Sequence, residues 1–214
     1  DHLALLTQRD LPNQGWPAAP QATDRLLRML AALHGQVWNA SKLAQSLGLS
    51  APTVNRYLDH LIGAFLIRRL PPYQGNLRKR LVKSPKVYWR DTGLLHALLN
   101  VPDGRALLSQ PWVGASWEGF VVEQAISALS LSGRRFDAYH FRTSDQHEID
   151  LVLDFGTERW AVEVKLTTSP EPADMERLDK TADMIGASRR LLVSRTSSPA
   201  GDGKRFSLDL TGFL

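Results

Sequence analysis

The sequence has no cysteine among its 214 residues. This absence excludes disulfide bonds, thiolate zinc ribbons and a cysteine nucleophile. No apolar run approaches the ~18 residues of a membrane-spanning helix, and no signal peptide is recognisable. We therefore expect a cytoplasmic protein with no membrane partner. The first residue is Asp1 and not Met, which suggests a piece of a longer protein.

Phosphate-binding loops are also missing. Neither Gly-x-x-x-x-Gly-Lys-Ser/Thr nor Gly-x-Gly-x-x-Gly occurs in the sequence, so we expect no nucleotide-phosphate site within this chain. The six histidines are scattered, which argues against a structural zinc site. No serine-centred nucleophile elbow is present either.

The charges that are present are unevenly distributed. Residues 1–110 carry 14 lysines and arginines against 6 acidic residues, whereas residues 111–214 carry 12 against 16. A basic half joined to an acidic half suggests two modules with different partners. The basic half is the candidate for binding nucleic acid or another polyanion.

Proline- and glycine-containing stretches divide the chain. We predict an arm or linker over residues 1–22, a first module over 23–99, a linker over 100–111 and a second module over 112–214. Both modules alternate helical and strand patterns, so the predicted class is mixed α/β, of the α+β type.

The first module has the pattern of a helix-turn-helix. Thr23 is predicted to cap a first helix and Ser41 a second; Gly48 supplies a tight turn, and Ser50 caps a third helix with Pro52 in its first turn. Strands over Phe65–Leu70 and Val87–Trp89 then flank a basic loop, which predicts a winged helix.

Two groups of residues in this module are candidates for contacting nucleic acid, with DNA as the expected partner. On the third helix they are Thr53, Asn55, Arg56 and His60, and in the basic loop they are Arg78, Lys79, Arg80, Lys83 and Lys86. The same patterns also fit a helix-turn-helix that serves as a scaffold and a basic run that is a solvated surface.

The second module contains a predicted β-hairpin with a defined register. Residues 148–154 and 159–165 alternate in polarity around Gly156-Thr157, a pair that suits a type II′ turn. If Phe155 faces Glu158, the register places Asp150 opposite Glu163. Opposed side chains have Cβ atoms roughly 4.5–5.5 Å apart, so these two carboxylates would repel each other without a cation.

Two explanations for this carboxylate pair remain open. Lys165 lies on the same face, and a bound Mg²⁺ would supply further positive charge, since hard cations prefer carboxylate oxygens. Alternatively, the face is an ordinary ion-paired surface in which Glu148 pairs with Lys165. Glu118 is similarly ambiguous, because a carboxylate in the first turn of a helix beginning at Ser116 is also favoured by the helix dipole.

The predicted elements of the second module follow the order α-β-β-β-α-β. After the helix from Ser116 come a strand over Phe136–Arg142 and the hairpin. A helix from Pro172 to Ile185 leads to a strand over Arg190–Ser194, which the crossover makes parallel to a neighbour. Phe206–Leu210 is predicted as a last edge strand.

This order, with Asp150 followed by Glu163-Val164-Lys165, resembles the PD-(D/E)XK nuclease superfamily and its restriction-endonuclease-like fold. The resemblance implies that Asp150, Glu163, Lys165 and Glu118 are catalytic. It also implies that Asp150, Glu163, Glu118 and the Val164 carbonyl hold Mg²⁺ or Mn²⁺. One departure is Ile149, which stands where the named motif has proline.

A second resemblance covers nearly the whole chain. The segments 39–44, 53–58, 79–88, 91–94, 117–121 and 147–150 are similar to the uncharacterised C-terminal region of prokaryotic AAA-type ATPases, in which a winged helix precedes a nuclease-like domain. The resemblance implies an N-terminal ATPase domain in the full-length chain, which alone would bind ATP.

Three hypotheses about function follow. The chain could be a Mg²⁺-dependent nuclease, a catalytically inactive module that recognises nucleic acid or protein and regulates the ATPase, or a structural assembly domain. A homo-oligomer remains open under all three.

Overall fold

The computed structural model describes residues 2–75 and 81–214 of the chain. It divides into two compact units, a first that runs to Arg69 and resumes over Val87–Ser116, and a second formed by Leu70–Lys86 and Trp117–Leu214. The mixed α and β content agrees with the predicted α+β class.

The first unit is mainly helical. Its described elements are α1 (His2–Leu5), a π-helical turn (Leu6–Asp10), α2 (Leu11–Asn13), α3 (Pro20–Ala31), α4 (Ala40–Leu47), α5 (Ala51–Gly63), α6 (Thr92–Leu98) and α7 (Gly104–Leu108). Strands β1 (Ile67–Leu70) and β2 (Lys86–Trp89) form a two-stranded sheet. The last residue of β1, Leu70, and the first residue of β2, Lys86, belong to the second unit.

The turn between α4 and α5 and the N-terminal caps of these two helices agree with the prediction, with one exception. Gly48 adopts a left-handed conformation at φ +67°, a position that suits glycine. Ser50 caps α5 through a hydrogen bond from the Thr53 N–H. The cap of α4, however, is Asn39 and not Ser41: the Asn39 side chain accepts from the Lys42 N–H, because the helix begins two residues earlier than predicted.

Residues 1–22 do not form the predicted arm or linker. Leu6, Leu11 and Trp16 are buried in the same core as Leu58 of α5. The Trp16 indole donates a hydrogen bond of 2.7 Å to Thr23 Oγ1. Thr23 therefore lies inside α3 as a buried acceptor and does not cap it, and the helix begins at Pro20.

The second unit is built on a six-stranded sheet. Its elements are α8 (Val113–Leu131, of which residues from Trp117 belong here), β3 (Asp137–Arg142), β4 (Glu148–Asp154), β5 (Arg159–Val164), α9 (Pro172–Met184), β6 (Arg189–Ser194), β7 (Ala200–Gly201), β8 (Arg205–Asp209) and α10 (Leu210–Phe213). The strand order is β3-β4-β5-β6-β8-β7. The predicted last edge strand is therefore an inner strand, because the short β7 pairs with its outer side.

The predicted hairpin register is confirmed. Leu151 pairs with Val162 and Leu153 with Trp160, and Gly156 in the turn has φ +81°. Strand β6 lies parallel to β5, as the helical crossover predicted. On one face of the sheet, Val152 and Ala161 share a core with Leu178 and Ala182 of α9.

The chain between β1 and β2 belongs to the second unit, whereas the sequence placed it in the first module. Pro72 bridges to His140 and Leu81 to Thr143. The Tyr73 N–H donates to the His140 carbonyl at 2.7 Å, and the Val82 N–H donates to the Arg142 carbonyl at 3.0 Å. Through these bonds, the described parts of the predicted wing lie along β3.

Among the helices that the structure describes, none combines the length and the apolar character needed to cross a lipid bilayer.

The burial of Trp16 predicts that the N-terminal segment contributes to stability. Trp16 is 5% exposed and stacks on Tyr57. Trp16→Ala should lower the free energy of unfolding by about 3–5 kcal/mol, because it removes a large buried side chain. Leu5→Ala, at a residue that is 45% exposed, is the control and should have little effect. Urea denaturation measures both; equal effects would contradict the burial of this segment.

Candidate functional site: a lysine among buried carboxylates

The β4–β5 hairpin places Asp150 in the interior of the second unit. Asp150 directly precedes Leu151, the first residue of the ladder with Val162. Its Oδ2 accepts a hydrogen bond of 2.9 Å from the Val164 N–H. This bond holds the carboxylate at the end of the hairpin where Glu163 also lies, as the register predicted.

The cation beside Asp150 is Lys86, the first residue of β2. Its side chain is only 3% exposed. The Lys86 ammonium lies 2.7 Å from Glu148 Oε1, 2.8 Å from Glu118 Oε1 and 3.5 Å from Asp150 Oδ1. A buried lysine surrounded by three carboxylates is the central feature of this site.

The three carboxylates come from two different elements. Glu118 projects from α8, and Glu148 and Asp150 project from β4. Glu148 also lies 3.5 Å from Arg142, its partner across the β3–β4 ladder. Burial favours the neutral form of Glu148, but the Lys86 ammonium outweighs this effect and lowers the pKa of the carboxyl.

Asp150 and Glu163 behave differently from Glu148. Burial, reinforced by the negative charge of Glu118, raises the pKa of Asp150 to about 7. Burial and the negative charge of Asp150 likewise raise the pKa of Glu163 to about 7. The two carboxyl groups therefore hold protons near neutral pH more readily than ordinary carboxyls do.

Lys165 follows β5 and pairs with Glu163, not with Glu148. Its Nζ lies 2.9 Å from Glu163 Oε1. Burial disfavours its charge, but the nearby Glu163 carboxylate outweighs burial and raises the pKa of Lys165. The alternative in which Glu148 pairs with Lys165 is thus replaced by two separate ion clusters, one on each lysine.

A groove opens beside the Glu163–Lys165 pair. Its volume is about 340 Å³. The groove is lined by Asp145, Gln146, His147, Glu148, Glu163, Lys165, Arg177, Leu178, Lys180 and Thr181. Glu163 and Lys165 can therefore be reached from solvent, whereas the Lys86 side chain is only 3% exposed and does not line the groove.

The predicted metal ligands do not form a metal centre in this arrangement. In the parts of the chain that the structure describes, no three histidine, aspartate or glutamate side chains are placed to hold an ion. The Lys86 ammonium lies between Glu118 and Asp150 at hydrogen-bonding distances. Because a cation of the protein already contacts these oxygens, the set does not fit Mg²⁺ or Mn²⁺ as it stands.

The residues of α5 that were predicted to contact nucleic acid differ in their exposure and in their hydrogen bonds. Asn55 and Arg56 are exposed, Thr53 is partly exposed, and Asn55 Oδ1 accepts from the Trp38 indole at 2.9 Å. His60 is held through its Nε2 by the Gln14 carbonyl at 3.0 Å. Arg56 is therefore the charged member of the group that solvent reaches.

The predicted basic loop separates into three parts. Lys83 is exposed. Lys86 is not, and its burial among carboxylates removes it from the surface that was predicted to contact nucleic acid. Arg78, Lys79 and Arg80 lie outside the residues that the structure describes. Sequence reasoning grouped Lys86 with this loop, although the apolar run Val87-Tyr88-Trp89 that follows it is a weak sign of burial.

The raised pKa of Asp150 predicts a pH dependence of stability. Its folded pKa of about 7 exceeds the unfolded value of about 3.9. Its contribution is therefore complete below pH ~4 and is lost as pH rises through 7. The unfolding free energy of wild type minus that of Asp150→Asn should fall over this range in urea titrations.

Asp154→Asn is the matched control. Burial raises the Asp154 pKa, but hydrogen bonds from Arg159 and Gly156 outweigh it and lower the pKa. The corresponding difference should therefore rise with pH through the acid range. A flat or rising curve for Asp150→Asn would contradict the raised pKa.

Comparisons with known proteins identify segments without assigning a function. Residues 1–105 match the family model described as "Domain of unknown function (DUF8612)", and residues 113–210 match "Domain of unknown function (DUF4143)". Uncharacterised proteins of Mycobacterium bovis and Mycobacterium tuberculosis are each 39% identical to this chain over 169 residues. The match covers 79% of this chain but only 37% of either relative, and no solved structure matches the chain. The chain thus carries two segments that match domains of unknown function.

Proposed function

We propose that this chain is the nucleic-acid-recognition portion of an AAA-type ATPase, and that its nuclease-like domain does not cleave. One observation carries the second part of the proposal. The Lys86 ammonium lies within 3.5 Å of Glu118, Glu148 and Asp150. Its positive charge offsets part of the negative charge of the acidic cluster on which metal-dependent hydrolysis of a phosphodiester would depend.

Nucleic-acid recognition is supported by the first unit. The helix-turn-helix order of α4 and α5 presents Arg56 and Asn55 on the exposed side of α5. Cationic and amide side chains at such positions contact phosphates and base edges. Lysine and arginine outnumber acidic residues 14 to 6 over residues 1–110, which favours a polyanionic partner, with DNA as the expected one.

The ATPase part of the proposal is supported by the comparisons. DUF4143 is often found in the C-terminal regions of AAA ATPases. The matched segment is 37% of the length of the two mycobacterial relatives, which leaves room in them for a further domain. ATP would bind in that domain, because this chain lacks a phosphate-binding loop.

A second candidate function is a Mg²⁺-dependent nuclease. It is favoured by Asp150 and Glu163 at one end of the hairpin, with Lys165 beside Glu163 at 2.9 Å. The groove beside this pair would admit a phosphodiester. This candidate requires a state in which Lys86 has left the carboxylates, and we therefore rank it second.

The role of α5 is tested by charge reversal. Arg56→Glu should weaken binding of a labelled DNA duplex at least about tenfold, because it replaces an attraction to phosphate by a repulsion. Arg105→Glu reverses an exposed charge on α7 and is the control, which should bind nearly as wild type. Fluorescence anisotropy at several salt concentrations measures both. Binding that is independent of salt, or equal loss in both variants, would contradict the proposal.

The two candidate functions are separated by a cleavage assay. We expect the wild-type chain to bind DNA and leave it uncut in the presence of Mg²⁺ or Mn²⁺. Cleavage that disappears in Lys165→Ala while DNA binding persists would instead establish the nuclease. Single-stranded RNA and duplex DNA should both be assayed, since a nuclease-like site alone does not select between them.

A further inference from the structure

We infer that Lys86 is a built-in cation that takes the place of a divalent metal ion in the nuclease-like site. As long as its side chain lies between Glu118, Glu148 and Asp150, the cluster does not take up metal. The inference rests on the proposed non-cleaving function of the same site and explains what keeps the site from cleaving.

The distances in the cluster are those of an ammonium and not of a metal. Charge-assisted N–H···O bonds are about 2.7–2.9 Å long, and the Lys86 Nζ lies 2.7 Å and 2.8 Å from Glu148 and Glu118. Mg²⁺ needs oxygens at about 2.0–2.1 Å in near-octahedral geometry. The carboxylates are therefore spread around a larger group with three N–H donors, which matches a lysine head group.

The backbone holds Lys86 in this position. The residue opens β2, directly after Pro85. Two residues earlier, the Ser84 carbonyl accepts a hydrogen bond of 3.1 Å from His140 Nε2 on β3. Burial and the nearby Lys86 lower the pKa of His140 to about 4, so its ring stays neutral near pH 7. The segment that leads into Lys86 is thus tied to β3.

Among the residues that the structure describes, the charges around Lys86 are close to balanced without a metal. Glu118, Glu148 and Asp150 bring up to three negative charges, and Lys86 and Arg142 bring two positive ones. A divalent ion placed among these carboxylates would be repelled by the Lys86 ammonium, which already contacts their oxygens. Removal of the lysine charge removes this repulsion.

The decisive experiment compares Mn²⁺ binding by the 214-residue chain and its Lys86→Met variant. Methionine keeps the apolar stem and removes the ammonium. We expect Lys86→Met to bind a single Mn²⁺ at least about tenfold more tightly than wild type, a difference of about 1.4 kcal/mol. Electron paramagnetic resonance counts the bound Mn²⁺, and titration calorimetry gives its affinity.

Lys83→Met is the matched control, because Lys83 lies in the same segment but is exposed. It should bind Mn²⁺ no better than wild type. Addition of Glu118→Gln to Lys86→Met should abolish the gained binding, since it removes one carboxylate of the cluster. Tighter Mn²⁺ binding by Lys83→Met than by wild type would overturn the inference. So would tighter Mn²⁺ binding by Lys86→Met that persists after Glu118→Gln is added.

Folding of the variant gives a second readout. Loss of Lys86 leaves buried carboxylates without their cation, so Lys86→Met should melt at a lower temperature than wild type. Mn²⁺ should raise that melting temperature and leave wild type unchanged. If the variant is unfolded without metal, Mn²⁺ should restore the folded state. Failure to restore it, or tight Mn²⁺ binding by wild type, would overturn the inference.

Failure of this inference is distinguishable from failure of the proposed function. The recognition function is measured by DNA binding and the Arg56→Glu variant, without divalent metal. A wild-type chain that binds Mn²⁺ but still requires Arg56 to bind DNA overturns the inference alone. A chain that excludes Mn²⁺ but binds no nucleic acid overturns the recognition proposal alone.

Discussion

The ion cluster on Lys86 is the interaction on which the second unit depends. The lysine is 3% exposed, and an ammonium removed from water is tolerated only where opposite charges and hydrogen bonds surround it. The same condition applies to Glu118, Glu148 and Asp150, which are at least partly buried. Because the buried lysine and the buried carboxylates each require the opposite charge, α8, β4 and the start of β2 are held in one arrangement.

The hairpin strengthens this constraint. The register places Asp150 beside Glu163. Burial and the negative charge of Glu118 raise the pKa of Asp150, and burial and the negative charge of Asp150 raise the pKa of Glu163. Two lysines relieve the repulsion from different directions, Lys86 from the interior and Lys165 from the groove. A site with four carboxylates is thereby stable without a bound ion, at the expense of the open coordination positions that metal catalysis requires.

The exposed cation of the predicted recognition helix and the carboxylate cluster belong to different units. The exposed cation of α5, Arg56, lies in the first unit, whereas the carboxylates and their lysines lie in the second. Recognition of a polyanion needs exposed positive charge, and hydrolysis needs clustered negative charge that holds a metal. Arg56 is an exposed positive charge, and the acidic cluster is occupied by the chain's own Lys86. For these two reasons we propose recognition without cleavage.

Local patterns in the sequence determined several turns, helix caps and the hairpin register. Gly156, Gly48 and Ser50 fix turns and caps through interactions within a few residues, and these features appear as predicted. The position of Lys86 was decided only by tertiary structure, because its partner Glu118 is 32 residues away and Asp150 is 64 residues away. The same is true of Trp16, buried against α3 and α5, and of β7, which covers the predicted edge strand. From its residue type alone, a lysine is predicted to be exposed. Whether it is buried depends on which charged residues, distant in the sequence, the fold brings next to it.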